Sequence, residues 1–147
     1  MNFTHFEYTS FPNKVFFGEG SFSTVAKLLA NYDKAFVIAG ERQAACVQQL
    51  IDELGKERVI HFSNIVQHVP VELVEQARQQ QVQAQTNVLV AIGGGSAIGL
   101  AKALALQNAH DIIAVPTTYA GSEMTNIWGL TTAAGKTTGR DMKVLPT

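Results

Sequence analysis

Three consecutive glycines and a serine stand directly after one of the two longest apolar runs of the sequence. The run covers residues 88–92, and it is followed by Gly93, Gly94, Gly95 and Ser96 at the start of a helix-forming stretch. Glycine lets backbone approach a phosphate closely, and the first turn of a helix supplies unpaired N–H donors and a positive dipole. Ser96 could cap the helix or bind a phosphate oxygen. We therefore predict a pyrophosphate site here, and a tight turn that needs glycine only for steric reasons is the alternative.

Two widely used phosphate-binding motifs do not match this segment. A P-loop ends in Gly-Lys-Ser/Thr, whereas Gly99 is followed by leucine. A dinucleotide fingerprint beginning at Gly93 would need glycine or alanine at position 98, which holds Ile98. The fingerprint would also follow the first strand of a sheet, and this segment comes after the third apolar run.

A second polar loop follows the next apolar run, residues 112–115. It contains Thr117, Thr118, Tyr119 and Ser122. Because the carboxyl ends of parallel strands meet at one sheet edge, the two loops could hold two parts of one extended ligand. Hydroxyl side chains in loops also bond to the local backbone, so this segment alone leaves both interpretations open.

The elements that position these loops are indicated by short apolar runs, each separated from the next by room for one helix. The runs are residues 35–39, 59–62, 88–92 and 112–115. This spacing is typical of β-α-β units, and the lost alternation of residues 88–92 indicates a strand buried on both faces. We predict an α/β fold, Rossmann-like, with a mainly parallel sheet and flanking helices. An N-terminal β-hairpin over residues 3–8 and 13–17 is predicted to precede it.

Helices are predicted in the segments between the runs. The first begins after a Ser21 N-cap and reaches about Asn31, and the others cover residues 41–54, 70–84 and 96–107. Gly55 is the predicted terminator of the second helix, and Pro70 a first-turn residue of the third.

Composition and charge exclude several classes of function. The chain has 147 residues with eleven basic and twelve acidic side chains, which fits one domain and gives no electrostatic signature of nucleic-acid binding. No apolar run approaches the length of a membrane span, and the first residues lack the pattern of a signal peptide. The single cysteine excludes an intramolecular disulfide. We expect a cytoplasmic protein with no membrane partner.

The ordered set of motifs resembles the iron-type alcohol dehydrogenase group. It consists of the glycine segment with Lys102, Pro-Thr-Thr at 116–118, Gly-Ser-Glu-x-Thr at 121–125 and the opening pattern at 15–20. The sequence departs from the alcohol dehydrogenases of the group at two places, and at both it resembles the maleylacetate reductase branch. Gly99 stands where alcohol dehydrogenases of the group usually carry aspartate, and the loop around Tyr119 is one residue shorter than theirs. The segment 127–131 also resembles that branch.

This resemblance implies NAD(P)H-dependent reduction of maleylacetate, a dicarboxylate, to 3-oxoadipate in the catabolism of aromatic compounds. It implies that residues 1–147 are the NAD(P)-binding domain, whereas the metal ligands and most catalytic groups of the family lie in an all-helical domain without counterpart here. We therefore assign no catalytic residue and expect the chain alone to be inactive. The metal dependence and a homodimer stay open. The alternatives are an alcohol or glycerol-type dehydrogenase of the same group and a nucleotide-binding module without catalysis.

The resemblance also implies individual site residues. The implied cofactor contacts are Gly94, Gly95, Ser96, Thr117, Thr118, Ser122, Asn126, Trp128 and Lys143. Asn126 and Trp128 would flank the nicotinamide end of the cofactor. Lys143 is explained equally well as a solvated charge on an edge strand. Tyr119 would border the substrate pocket or serve packing only.

Histidines give no metal pattern in the sequence. His5, His61, His68 and His110 lack the spacing of metal ligands, and His61 lies in a predicted strand, where a hydrogen-bonded structural role is favoured. No metal site is predicted within the chain.

Gly40, directly after the first apolar run, bears on the choice between NADH and NADPH. Relatives that prefer NAD place an aspartate there, which bonds the adenosine ribose and repels a 2′-phosphate. Glycine removes that repulsion, and Arg42 could bind the phosphate. Arg42 is equally well explained as a solvated residue, and Glu41 argues mildly against a phosphate nearby. We predict poor discrimination against NADPH.

Overall fold

Four parallel strands form the central sheet of the computed structural model, which describes residues 9–147. They are β1 (Ala35–Ala39), β2 (Val59–Phe62), β3 (Val88–Gly93) and β4 (Asp111–Pro116), in the spatial order β2-β1-β3-β4. The two inner strands, β1 and β3, are buried along their whole length, and the lost alternation of residues 88–92 predicted this for β3. Ala39 lies opposite Ile92, and Gly93 lies opposite Pro116, so the carboxyl ends of three strands are neighbours.

Helices cover both faces of this sheet. They are α1 (Ser23–Leu29), α2 (Ala44–Leu54), α3 (Val71–Ala84) and α4 (Gly95–Asn108). Phe36 and Ile38 point to the face covered by α3 and α4, whereas Val37 points to the face covered by α1 and α2. Alternate residues of β1 therefore pack into two different hydrophobic cores. The α/β fold predicted from the sequence is confirmed.

The predicted ends of the elements are correct to within about two residues, with three local exceptions. The N-cap of α1 is Phe22 and no side chain caps the helix, so the predicted cap Ser21 is wrong. Pro70, predicted inside the first turn, is the N-cap of α3 with extended backbone. A 3-10 turn, Glu41–Gln43, comes before α2 where α-helix was predicted. Gly55 ends α2 with a φ of 98°, a conformation that favours glycine.

The predicted N-terminal hairpin is only half covered by the structure. Residues 3–8 lie outside the described residues, and residues 13–17 form no strand within residues 9–147. The hairpin therefore stays a prediction for its first half, and its second half is not a strand of the described part of the chain.

A second, antiparallel sheet follows residues 117–125, the second polar loop of the sequence, which we call the hydroxyl loop. This sheet is a hairpin of β5 (Ile127–Thr132) and β6 (Gly135–Arg140), which the sequence did not predict. Trp128 and Leu130 pack against the core formed with α4. The Thr131 N–H donates to the Val69 carbonyl at 3.1 Å, which attaches the hairpin to the segment before α3. No helix within residues 9–147 is long and apolar enough to cross a membrane.

Candidate functional site

The turn between β3 and α4 is built by glycines. Gly93 has a φ of 153°, and a Cβ there would lie 3.1 Å from the Ala97 Cβ, so this position needs glycine for the turn itself. Gly94 is the N-cap of α4 and provides no side-chain bond to the helix. The N–H groups of Gly95, Ser96 and Ala97 find no backbone acceptor among residues 9–147, whereas the Ile98 N–H donates to the Gly94 carbonyl at 3.2 Å. The turn leaves the positive end of a helix open to a ligand.

Gly95 and Ser96, the first two residues of α4, lie at this open end. A Cβ on Gly95 would be 3.5 Å from the Ala120 Cβ, which is an ordinary contact, so packing does not require glycine here. Ser96 does not cap α4, because the N-cap is Gly94, and its hydroxyl has no hydrogen-bond partner among the described residues. The predicted cap role of Ser96 is therefore wrong, and its phosphate-binding role stays a prediction. For Gly95 the structure removes packing as the reason for glycine, and its phosphate contact also stays a prediction.

Two clefts meet at the N-terminus of α4 and share Gly95 and Ser96. The β1 cleft, of about 430 Å³, reaches the end of β1 and is lined by residues 40–43, Ile65, residues 92–97 and Thr117. The hairpin cleft, of about 440 Å³, reaches the β5–β6 hairpin and is lined by residues 67–69, Gly95, Ser96, Gly99, Ser122, residues 127–129, Lys136 and Thr138. An extended ligand with phosphates at the helix could occupy both clefts.

The β1 cleft contains the residues that the sequence linked to the adenosine end of a cofactor. A Cβ on Gly40 would meet only Ile65 Cδ1, at 3.8 Å, so a larger side chain has room there. Arg42 is exposed at the same cleft and forms no ion pair within residues 9–147. The Thr117 N–H donates to the Gly93 carbonyl at 2.9 Å, which fixes the hydroxyl loop beside the glycine turn.

The remaining predicted residues divide between the second cleft and the surface. Ser122 and Trp128 line the hairpin cleft, and Thr118 Oγ1 lies 3.0 Å from the position a Cβ on Gly94 would take. Tyr119 is 86% exposed and lines neither cleft, so the structure does not bring it to a substrate pocket within the described residues.

Asn126 and Lys143 do not line either cleft, and their predicted cofactor contacts stay predictions. The Asn126 carbonyl accepts the Asp141 N–H at 3.0 Å, so residue 126 is tied to the far end of the hairpin. Lys143 belongs to the 3-10 turn Met142–Val144, and its ammonium lies 3.8 Å from the Asp141 carboxylate. Lys143 is therefore not a residue of an edge strand, and its cofactor contact stays a prediction.

Lys102 is a buried cation that the sequence placed in a motif without assigning it a role. Its side chain is fully buried, and Nζ donates to the carbonyls of Thr125 and Ile127, both at 2.8 Å. Burial, partly opposed by the charge of Glu123, lowers the pKa of Lys102 to about 8. The lysine joins α4 to the end of the hydroxyl loop, and a single lysine in an apolar helix was the sequence signal.

His61 has the structural role that was favoured. Its Nε2 donates to the Ala39 carbonyl at 2.7 Å, which joins the ends of β2 and β1. Within residues 9–147 no three His, Cys, Asp or Glu side chains come together to hold a metal ion. The described residues thus do not fit a metal site.

A parallel sheet whose carboxyl edge carries an open helix N-terminus and a glycine turn defines a nucleotide-binding α/β domain. The model of the iron-containing alcohol dehydrogenase family matches residues 12–147, and the chain belongs to this family.

Comparison with individual proteins indicates the same family and, within it, a similarity to maleylacetate reductases. The chain is 48% identical over 142 residues to maleylacetate reductase of Sphingobium indicum, which covers 96% of this chain and 40% of that protein. The iron-containing alcohol dehydrogenase of Corynebacterium glutamicum superposes with a TM-score of 0.87 at 45% identity, covering 99% and 41% of the two chains. For maleylacetate reductase of Agrobacterium tumefaciens the TM-score is 0.87 at 35% identity, covering 98% and 42%. The chain spans about 40% of the length of the curated relative.

Proposed function

We propose that this protein serves the NAD(P)H-dependent reduction of maleylacetate to 3-oxoadipate, and that residues 1–147 bind the cofactor. The observation that carries the proposal is the open N-terminus of α4 behind the glycine turn, with a cleft on either side. The substrate is supported by the 48% identity to a maleylacetate reductase. The groups that act on the double bond of the substrate are not assigned to any residue of this sequence.

The residues at the helix end fit a pyrophosphate. The free N–H groups at the start of α4 and the unpaired Ser96 hydroxyl supply donors, and the dipole of a 14-residue helix favours a negative charge. Gly95 has no side chain to occupy the space in front of them. These residues would hold the phosphates, and they would fix the distance between the two ends of the cofactor.

The two clefts would receive the two ends. The β1 cleft, beside Gly40 and Arg42, suits the adenosine end, and the hairpin cleft suits the nicotinamide end. Bound NAD(P)H supplies the hydride. In the hairpin cleft, the half-buried indole of Trp128 and the side chain of Ile127 would shield the reacting face from water and orient the ring.

The test is a comparison of substrates with the purified protein expressed from its complete gene. Loss of NADH absorbance with maleylacetate is expected to be faster by at least an order of magnitude than NAD reduction with primary alcohols or glycerol, about 1.4 kcal/mol in transition-state stabilisation. Preference for alcohols or glycerol would contradict the proposed substrate. Cofactor binding without turnover of any of these substrates would favour a nucleotide-binding module.

A further inference from the structure

Lys136 on β6 lies across the bare backbone of Gly129 on β5. A Cβ built on Gly129 would be 3.1 Å from Lys136 Cε and 3.8 Å from its Nζ. The lysine stem therefore occupies space that any side chain at position 129 would fill. Lys136 lines the hairpin cleft as an exposed side chain, and its ammonium forms neither an ion pair nor a hydrogen bond within residues 9–147. Packing of its stem against Gly129 places this cation at the edge of the cleft.

The lining of the hairpin cleft combines apolar side chains such as Ile127 and Trp128 with several donors, most of them exposed, and it has no acid. Besides Lys136 it contains His68 and the hydroxyls of Ser96, Ser122 and Thr138, and no Asp or Glu side chain contributes to it. The positive end of α4 opens into the same space. The volume of about 440 Å³ lies within the range of roughly 300–1,000 Å³ that is usual for small-molecule sites. The donors and the helix end would suit a small anion at this cleft.

The opposite wall of the cleft is a strained segment. His68 and Val69 have φ values of 65° and 46°, a region that a β-branched residue such as valine rarely adopts. Val69 is buried against α4, where a Cβ on Gly99 would lie 2.8 Å from Val69 Cγ2. Its carbonyl also accepts the N–H of Thr131. The absence of a side chain at position 99 thus lets this segment close on α4 and holds His68 at the cleft.

We propose that the hairpin cleft recognises one carboxylate of a dicarboxylate substrate, with Lys136 and His68 as the binding side chains. Gly99 determines this specificity, because an acidic side chain there would displace Val69 and bring a negative charge to the cleft. The identity of the substrate rests on the proposed function, whereas the anion site rests on its donors. The same donors could serve a cofactor phosphate, and the experiment separates the two sources.

The experiment uses the protein expressed from its complete gene and saturated with NAD. Maleate, an unreactive dicarboxylate, is titrated into it, and the heat of binding is followed by calorimetry. Wild type should give a saturable signal. Lys136→Met should raise the dissociation constant for maleate by about tenfold, as expected when a hydrogen bond to a charged group is lost. Lys136→Arg should restore most of the affinity, and crotonate, with a single carboxylate, should bind more weakly than maleate.

Lys56→Met is the matched control, because Lys56 is exposed in the 3-10 turn before β2 and lines neither cleft. It should leave the maleate affinity unchanged. NADH affinity is measured on the same proteins and should be equal in wild type and Lys136→Met. A loss of NADH affinity in Lys136→Met with unchanged maleate affinity would assign the ammonium to the cofactor and overturn the proposal. Wild type that does not bind maleate would overturn it as well.

The proposed function and the proposed carboxylate site would be contradicted by different results. Maleate binding that depends on Lys136, together with no reduction of maleylacetate, would remove the proposed function and leave the carboxylate site. Reduction of maleylacetate with the same KM in wild type and Lys136→Met would support the function and overturn the carboxylate site.

Discussion

The buried ammonium of Lys102 donates to the Thr125 carbonyl at 2.8 Å and lies 3.4 Å from the Thr125 hydroxyl. Lys102 stands two turns into the helix whose N-terminus faces both clefts, and Thr125 is the last residue of the hydroxyl loop before Asn126 and β5. The contact therefore fixes the distance between the glycine turn and the loop beside it. A side chain that reaches neither cleft can in this way control the shape of both.

Replacing this lysine by an apolar side chain of similar length tests that role. Lys102→Met leaves the carbonyls of Thr125 and Ile127 without their donor, and we expect about 1–3 kcal/mol of stability to be lost. NADH affinity should fall as well, because the hydroxyl loop is released from α4. Urea denaturation and fluorescence titration measure the two effects. Unchanged NADH affinity in a destabilised variant would show that the contact supports the fold only.

The pH dependence of stability provides a second test of the same residue. The pKa of Lys102 is about 8 in the folded protein, below the value of about 10.4 for lysine in an unfolded chain. Between these two values the unfolded chain binds more protons, so the contribution of Lys102 to stability rises with pH. The slope in this window is at most about 1.4 kcal/mol per pH unit. Below about pH 8 this contribution should be independent of pH.

Urea denaturation of wild type and Lys102→Met across this window isolates the effect, because other titrating groups contribute to both proteins. The difference in the free energy of unfolding should move in favour of wild type as the pH rises above about 8. A difference that stays constant over the window would mean that the pKa of Lys102 is not lowered in the folded protein.

Gly95→Val tests the phosphate site separately from the turn. Position 95 has room for a Cβ at an ordinary distance from Ala120, so the fold should lose little stability. The branched side chain would occupy the space in front of the free N–H groups of α4, and NADH binding should be abolished. Circular dichroism and NADH fluorescence titration give the two readouts. Gly93→Ala is the contrasting variant, since its φ of 153° makes it destabilising by itself. Normal dichroism with full NADH affinity in Gly95→Val would assign the glycines to the turn alone.

The 147-residue chain itself should bind NADH weakly and turn over little maleylacetate. The reason is that both clefts and the helix N-terminus are formed by these residues, whereas no catalytic group is assigned among them. Fluorescence titration and an absorbance assay of the isolated chain check the two statements. Rapid turnover by the isolated chain would contradict the second one.

The central sheet could be predicted from the sequence because its strands are short apolar runs with glycine or polar residues at their ends. The runs at 35–39 and 59–62 coincide with β1 and β2. The β5–β6 hairpin was not foreseen as a pair, because β6 is formed by glycine, threonine and charged residues without apolar alternation. Its register places Trp128 opposite Gly139, where the indole covers the bare backbone, and only the structure reveals that pairing.

The site could be predicted where it depends on local geometry and not where it depends on the hairpin. Gly95 and Ser96 follow directly from a strand, a turn and a helix in sequence order. The sequence did not point to Lys136, because its position at the cleft depends on the missing side chain of Gly129 on the paired strand β5. Lys143 was assigned from the resemblance alone; the structure places it in a turn beside Asp141, and its cofactor contact stays a prediction.

The choice between NADH and NADPH depends on Gly40, which ends β1 with a φ of −67° and a ψ of 171°. Aspartate adopts this backbone readily, and it is a favourable N-cap for the turn that begins at Glu41. The nearest atom to a new Cβ is Ile65 Cδ1 at 3.8 Å, so the substitution needs no rearrangement. An effect of Gly40→Asp on cofactor binding can therefore be attributed to the added charge at the β1 cleft. Gly40→Ala is the uncharged control.

Wild type should bind NADPH with an affinity within about thirtyfold of that for NADH, a difference of about 2 kcal/mol. Gly40→Asp should shift the ratio of the two dissociation constants towards NADH by at least about tenfold, because a carboxylate repels the 2′-phosphate at close range. Gly40→Ala should leave the ratio as it is. Arg42→Met should weaken NADPH binding alone if the exposed guanidinium reaches the phosphate. Equal ratios in wild type and Gly40→Asp would mean that position 40 does not face the ribose, and wild type that already prefers NADH beyond thirtyfold would contradict the interpretation of Gly40.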